Sequence, residues 1–344
     1  MGFGKGKLSR RRLLGSAAGV SAALGLHEVV PHQGLHHAVG TAFAQDGHGG
    51  GAMMKHPLHA GAVGMVDPST NGFDPQTILR DFDDGAVIDG VRQWELVAEE
   101  RTIEVAPGVK YDAWTYNGRV PGPTLRAREG ERLSIKFING AQHPHTIHFH
   151  GIHTSRMDGI PGIGAGDIAP GDSTTYEFHA TPFGLHLYHC HSMPLAEHIA
   201  KGLYGAFVID PKQGRPEADE LVMVMNGFDT NFDQANEIYA VNTVGFHYLY
   251  RPVVVKRGEL VRIYLVNILE FDQINSFHIH ANFFHYFPTG TSLTPSEYTD
   301  TIVQAQGQRG ILELEFPYPG KYMFHAHKTE FAELGWMGFF EVQN

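Results

Sequence analysis

Two copies of one strand-rich pattern occur along the chain, and this repeat constrains the fold more than any other feature. Residues 130–139 read Gly-Glu and then alternate apolar with polar side chains up to Asn, and residues 258–267 repeat this pattern. A period of two predicts β-strands. Two further segments recur in the same order, roughly 130 residues later. Because a repeat of this length is a whole domain rather than a solenoid unit, we predict a duplicated domain.

Short alternating runs broken by Gly and Pro turns dominate both copies, and no long helical periodicity competes with them. This pattern predicts an all-β chain of two tandem antiparallel β-sandwiches. We place the first domain at 76–210, a polar linker with Pro and Gly at 211–217, and the second domain at 218–344.

Residues 1–44 predict an export signal of the twin-arginine type. Residues 9–14, Ser-Arg-Arg-Arg-Leu-Leu, precede a mildly apolar run rich in Ala and Gly, and residues 42–44 form a small-residue cleavage pattern. That run is too short and too rich in Gly to cross a bilayer of ~30 Å, so we expect no stable membrane span. The protein is therefore expected to be exported, either periplasmic or secreted.

Residues 45–75 are rich in Gly, His and Met, which predicts a flexible leader. Copper scavenging is a second interpretation of this segment, because imidazole and thioether groups suit copper. The net charge of the whole chain is −11, which argues against a nucleic-acid partner, since such proteins usually carry a basic face.

Four His-x-His pairs stand at matching positions of the two copies. On a strand, each pair places both imidazoles on one face, about 7 Å apart. One pair could be accidental, but two pairs in each domain indicate metal binding. The pairs are His148/His150 and His189/His191 in the first copy, and His278/His280 and His325/His327 in the second.

Cys190, the only cysteine, lies between His189 and His191. On a strand its thiol faces away from both imidazoles, and strand parity turns His145 away from the 148/150 pair in the same way. Cys190 and His145 can therefore share a second site, with His198 as a third ligand. Two His and one Cys form the trigonal set of a blue-copper electron-transfer centre.

The second copy lacks this set, because Asn275, Ala326 and Phe331 stand where the first copy has His145, Cys190 and His198. It keeps both of its histidine pairs. The pairs therefore serve a different metal site, to which both domains contribute.

From about residue 90 to residue 344, the chain resembles a two-domain multicopper oxidase of the small laccase type, with the type 1 copper in the first domain. The resemblance rests on the order and spacing of four motifs, which are His145 with His148-Phe149-His150-Gly151, His189-Cys190-His191 with His198, His278-Ile279-His280, and His325-Ala326-His327.

The resemblance implies two cupredoxin-like Greek-key β-sandwich domains and four coppers per chain: one type 1, one type 2 and two type 3. It assigns the type 1 copper to His145, Cys190 and His198. It assigns the type 2 copper to His148 and His278. It assigns the type 3 coppers to His150, His189, His191, His280, His325 and His327. In two-domain members of this family, the first domain of one subunit and the second domain of its neighbour form the cluster, which implies a homotrimer.

One position departs from the family pattern. An axial Met often follows the last type 1 histidine by five residues, and Leu203 stands there in this chain. Leucine cannot bind copper, so we expect a three-coordinate site with a raised reduction potential. Met193 is the only thioether nearby.

The resemblance implies a laccase-like oxidase, with O2 and a small reducing substrate such as a phenol as its partners. Electrons would enter at the type 1 copper and pass through Cys190 to His189 and His191, and O2 would be reduced to water. Asp158, soon after the first pair, is a candidate proton relay, although an ordinary turn Asp before Gly fits equally well.

Three other functions remain open at this stage. A copper nitrite reductase shares the trimer and the type 1 site but needs only a single type 2 copper. A metallo-oxidase would act on cuprous, ferrous or manganous ions. A copper carrier without catalytic activity would need no site shared by two domains.

Overall fold

Four β-sheets make up the part of the chain that the structure, a computed structural model, describes, residues 64–344. The predicted signal, 1–44, and residues 45–63 of the predicted leader lie outside this part. Two sheets belong to a first half of the described chain and two to a second half. The expectation of an all-β fold with two sandwiches is confirmed.

The strands of the first half form a five-stranded sheet, in the order β1-β5-β10-β9-β7, and a second sheet, β2-β3-β6-β8, with β4 paired to β3. Their bounds are β1 Phe82–Asp83, β2 Ala86–Ile88, β3 Val91–Ala106, β4 Val109–Tyr116, β5 Thr124–Arg128, β6 Arg132–Asn139, β7 His148–Phe149, β8 Ser173–His179, β9 Gly184–His189 and β10 Tyr204–Asp210.

The second half repeats this plan with a six-stranded sheet, β12-β11-β14-β19-β16-β17, and a five-stranded sheet, β13-β21-β20-β15-β18. Their bounds are β11 Asp219–Phe228, β12 Ile238–Val241, β13 Val253–Lys256, β14 Leu260–Asn267, β15 Ile274–Ile279, β16 Phe284–Pro288, β17 Glu297–Thr299, β18 Thr301–Ala305, β19 Arg309–Glu315, β20 Gly320–His325 and β21 Met337–Gln343.

The sheets are mixed rather than purely antiparallel. Strand β3 runs parallel to β6, β5 to β10, β11 to β14, and β13 to β21. The antiparallel expectation fails at these pairs because parallel partners need long crossover connections, which alternation within one strand does not reveal. Apolar side chains fill each sandwich, and a third buried cluster, including Leu187, Val208, Val224 and Ile311, joins the two halves.

Short helices connect the strands, and within residues 64–344 no helix has the length and apolar character needed to cross a membrane. The helices are α1 Pro68–Asn71, α2 Pro75–Ile78, α3 Leu195–Ala200, α4 His247–Tyr250 and α5 Thr329–Glu333, and Ser155–Met157 forms one 3-10 turn.

Residues 64–75, which the sequence placed in the flexible leader, are packed against the sandwiches. The buried Asn71 side chain donates to the Glu104 carbonyl at 2.9 Å and accepts from the Glu104 amide at 2.7 Å. Helix α2 follows, and Leu79 then enters the core of the second half. The bonds of the buried Asn71 hold this stretch against β3 despite its polar composition, and the domain boundary at residue 75 stays a prediction.

Strand pairing brings the histidine segments together in the same way in both halves. Strands β7 and β9 pair so that His148 lies opposite His189. Strands β15 and β20 pair so that His278 lies opposite His325. The duplicated fold therefore presents two equivalent histidine surfaces.

Candidate metal centres

The cysteine site consists of His145, Cys190 and His198, all fully or almost fully buried. Its three donor atoms face one another. The two Nδ1 atoms are 3.1 Å apart, and the Cys190 Sγ lies 3.1 Å from the His198 Nδ1 and 3.8 Å from the His145 Nδ1. Three elements supply the ligands, since Cys190 directly follows β9, His198 lies on α3, and His145 precedes β7.

This donor set fits a metal ion with trigonal coordination. Imidazole and thiolate bind first-row ions at roughly 2.0–2.3 Å, so two ligands of one trigonal ion lie roughly 3.5–3.8 Å apart. The observed separations approach this spacing. Burial lowers the pKa of His145 to about 3 and that of His198 to about 4, so both imidazoles are neutral at pH 7 and keep lone pairs for a metal.

Hydrogen bonds around the cysteine site support the sulfur and its backbone. The Thr146 amide donates to the Cys190 Sγ at 3.3 Å. Leu203 is fully buried, and its carbonyl accepts the Cys190 amide at 2.9 Å. Met193 is 72% exposed, so its side chain points to the surface rather than into the site.

The first histidine cluster consists of His148, His150, His189 and His191. The Nε2 atoms of His150 and His189 are 2.9 Å apart, which suits two imidazoles bound side by side to one ion at roughly 2.0 Å each. The His148 ring centroid lies 5.3 Å from that of His189 and 5.4 Å from that of His191. Burial lowers the pKa of His150 to about 2 and that of His189 to about 4, so these two rings are neutral.

The second histidine cluster consists of His278, His280, His325 and His327, and it reproduces this geometry. The Nε2 atoms of His280 and His325 are 3.0 Å apart. The His278 ring centroid lies 5.3 Å from that of His325 and 5.2 Å from that of His327. His280 and His327 are exposed, so this cluster opens to the protein surface.

Hydrogen bonds at Nδ1 orient several of these rings. The His148 Nδ1 lies 2.8 Å from the Asp158 Oδ1, and the His278 Nδ1 lies 2.8 Å from the Thr301 Oγ1. In the His-x-His motifs, His189 donates from Nδ1 to the Cys190 carbonyl at 2.7 Å, and His325 makes the equivalent bond to Ala326. Each bond leaves Nε2 free for a metal, the usual arrangement of outer partners around metal-binding histidines.

The two histidine clusters are separate within one chain. Across residues 64–344, no compact group of candidate metal ligands combines histidines of both halves. The first cluster opens into a cleft of about 500 Å³ that Glu270, Gln306 and Gly307 also line. Each cluster therefore has an open side on which the same chain places no further histidine of these clusters.

All the histidines predicted from the motifs fall into these three groups, and Asp158 lies against His148. Other functional neighbours escaped the sequence analysis. Trp114 packs on the cysteine site from β4, and Asp300 accepts from His278 through its backbone carbonyl at 3.0 Å. Asp158 follows His148 by ten residues and Asp300 follows His278 by 22, so the repeat did not align them.

The fold and the three groups define a candidate metal-binding protein with two β-sandwich domains. Two family models, both described as multicopper oxidase, match residues 97–214 and 215–344. The chain belongs to the multicopper oxidase family, as the motif resemblance implied.

Individual relatives differ in activity. The copper-containing nitrite reductase of Neisseria meningitidis is 33% identical over 249 residues, 66% of this chain and 63% of the relative. The laccase-2 of Botryotinia fuckeliana is 41% identical over 35% of this chain and 20% of its own length.

Among solved structures, a crystal structure of a multicopper oxidase is 65% identical to this chain and superposes with a TM-score of 0.80. The match covers 81% of this chain and 100% of the chain in that structure. The chain spans about three fifths of the length of the first curated relatives that it matches. The multicopper oxidase family implies copper binding for this chain.

Proposed function

We propose that the protein is a laccase-like oxidase, which couples the one-electron oxidation of phenols or similar small donors to the reduction of O2 to water. The observation that carries this proposal is the pair of equivalent four-histidine clusters beside a single cysteine site. Bound copper would supply the electron transfer and the oxygen chemistry, with one ion in the cysteine site and three shared by eight imidazoles.

The open clusters support a shared site between subunits. The exposed His280 and His327 have room to meet the first histidine cluster of another copy. Because the two surfaces differ, this contact would be heterologous, and heterologous contacts form a ring where the rotation between neighbours closes. We infer a homotrimer in which the first cluster of one subunit faces the second cluster of the next.

The residues around Cys190 provide a short path from the cysteine site to the first histidine cluster. The side chains of His189 and His191 are its sequence neighbours and belong to the cluster. The hydrogen bond from the His189 Nδ1 to the Cys190 carbonyl adds a second connection of 2.7 Å. Electrons delivered at the sulfur therefore need to cross only one residue of backbone.

Nitrite reduction is the second candidate function, because two copper-containing nitrite reductases of Neisseria align with 66% of this chain. A single copper used for nitrite needs fewer imidazoles than this chain presents. His191 stacks on His189 at a centroid distance of 5.9 Å, and His148 contacts both rings. The full set of eight imidazoles favours O2 as the electron acceptor.

We also propose export through the twin-arginine-type segment at residues 9–14, which would deliver the protein folded. The copper sites then form before or after transport to the periplasm or the medium. Detection of the mature protein outside the cytoplasm, and its retention when Arg10 and Arg11 are replaced by Lys, would support this location.

The decisive experiment measures copper content and acceptor choice together. The full chain, loaded with copper, should hold about four ions per chain and consume O2 with hydroquinone, while reducing nitrite slowly under argon. Cys190→Ser should hold about three ions, lose the blue colour and stop turnover. Rapid nitrite reduction with about two ions per chain would assign the protein to nitrite reductases instead.

A further inference from the structure

A network of ion pairs connects the two halves of the described chain, and its centre is Glu220 on β11 of the second half. One carboxylate oxygen of Glu220 accepts from the Nη1 of Arg126, on β5 of the first half, at 2.6 Å. The other oxygen accepts from the Arg262 Nη1 at 3.0 Å and from the Tyr264 hydroxyl at 2.8 Å. The Glu220 carboxylate is therefore bound by both halves at once.

Each arginine of this Glu220 network also binds a carboxylate of its own half. Arg126 donates to Asp210 from Nε at 2.7 Å and from Nη2 at 3.1 Å. Arg262 donates from Nε to Glu313 at 2.6 Å and from Nη2 to the Pro216 carbonyl at 2.8 Å. A guanidinium presents its donors in a rigid plane, so these bonds fix direction as well as distance. The Arg262 side chain is only 2% exposed, so little water competes for its bonds.

The end of the linker is bound together with the network. The Arg215 guanidinium carbon lies 5.9 Å from the ring centroid of Phe183, in the first half, and 5.8 Å from that of Phe287, in the second. Its Nη2 donates to the Gly290 carbonyl. Domains joined by a free linker move relative to one another by default, and these contacts oppose such motion.

The apolar contact between the halves supplies area rather than direction. Apolar side chains of both halves, among them Val208 and Val224, pack in one buried cluster. Apolar burial is non-directional, so it resists separation of the halves more than their rotation. Single hydrogen bonds also cross the contact, such as that from the Leu185 amide to the Thr289 carbonyl at 2.8 Å. The Glu220 network adds a charged and directional connection to these contacts.

The angle between the halves has a consequence for the shared histidine site. In the proposed ring, the first histidine cluster of one subunit meets the second cluster of the next, and the two clusters lie in different halves. The rotation from one subunit to the next is therefore set by how the halves are oriented within one chain. A heterologous contact closes into a ring only where that rotation closes, and otherwise it continues into an open chain.

We propose that the Glu220 network fixes the angle between the halves and thereby sets the closure of the ring that completes the shared histidine site. This inference rests on the proposed function. The three ligands of the cysteine site all lie in the first half, so this site does not depend on the angle. Loss of the network should weaken assembly and copper binding at the shared site, while the cysteine site stays intact.

Two variants disrupt the network in different ways. Glu220→Gln removes the charge that both arginines share and keeps the shape of the side chain. Arg126→Lys keeps the positive charge but loses the planar fork that reaches Asp210 and Glu220 together. Arg92→Lys is the matched control, because Arg92 binds Glu131 through two bonds, at 2.6 and 2.7 Å, within the first half.

Sedimentation of the copper-loaded full chain over a dilution series, combined with copper counting and blue absorption, tests this inference. In Glu220→Gln and Arg126→Lys, the concentration at which the ring dissociates should rise roughly tenfold or more. Both variants should lose copper from the shared site and keep the blue band. Arg92→Lys should match the native protein in all three measurements.

Native dissociation and native copper content in either folded variant would overturn the inference. So would equal dissociation of Arg92→Lys, because it would indicate a general loss of stability. If Glu220→Gln does not fold, Arg126→Lys decides alone. A native protein that stays monomeric with its copper bound would refute the proposed shared site, and this inference with it.

Discussion

The Nε2 atoms of His150 and His189 lie 2.9 Å apart across two paired strands, and His280 and His325 repeat this contact at 3.0 Å. Two imidazole nitrogens this close need a proton or a metal between them. Because the His189 Nδ1 donates to the Cys190 carbonyl, the His189 Nε2 carries a lone pair that can bind a metal. Each of the two domains therefore contains an equivalent half of a metal site.

Replacing His150 should separate the functions of the two kinds of site. His150→Ala removes one ligand of the first histidine cluster and leaves the cysteine site unchanged. We expect the blue absorption and its bleaching by hydroquinone to persist, while O2 consumption falls to background. His179→Ala, at an exposed histidine of β8, is the control and should match the native protein in both assays. Normal O2 consumption by His150→Ala would show that the first histidine cluster takes no part in O2 reduction.

Leu203→Met should lower the reduction potential of the cysteine site. Leu203 is fully buried, and its backbone contacts Cys190 and His198. A thioether there would supply the missing axial ligand, which tunes such sites. Leu and Met have similar volumes, so we expect the unfolding free energy to change by less than about 1.5 kcal/mol. Redox titration of the blue band measures the shift, and an unchanged or higher potential would contradict the expectation.

Alternation along single strands was enough to predict which side chains meet. The parity of His189, Cys190 and His191 placed the thiol on one face and both imidazoles on the other, as the structure has them. The absence of His145 and Cys190 equivalents at Asn275 and Ala326 likewise predicted a single cysteine site. These predictions succeeded because a period of two depends only on local backbone geometry.

Contacts between distant segments could not be predicted in this way. Trp114 precedes His145 by 31 residues, and its amide bonds to the distant Lys201 carbonyl where the indole packs over the site. Asn71 and Glu104 meet although the composition of residues 45–75 predicted a mobile leader. Such contacts depend on how sheets pack, about which one sequence without relatives carries little information.

His247 should make the stability of the copper-free protein depend on pH. Burial lowers its pKa to about 4 in the folded protein, against about 6.5 in an unfolded chain. The unfolded state therefore binds more protons as pH falls from about 6.5 towards 4, and stability decreases over that window by about 3 kcal/mol from this group. Denaturant unfolding at several pH values measures the effect. His247→Gln should make the curve shallower by about this amount, with the remaining slope coming from other buried histidines such as His145 and His189, whereas His179→Gln at the surface should leave the slope unchanged.

Asp158→Asn distinguishes a proton relay from a residue that orients His148. The Asp158 Oδ1 lies 2.8 Å from the His148 Nδ1, and His153 approaches the same oxygen at 3.5 Å. Outer partners of this kind typically contribute 10–100-fold to metal affinity, so we expect roughly that loss of affinity in the histidine clusters and none in the cysteine site. Copper titration with a competing chelator measures both, and Asp172→Asn at the exposed turn before β8 is the control. Unchanged affinity combined with turnover that fails as pH rises would instead identify Asp158 as the proton relay, because an amide cannot supply the proton that becomes scarce in solution.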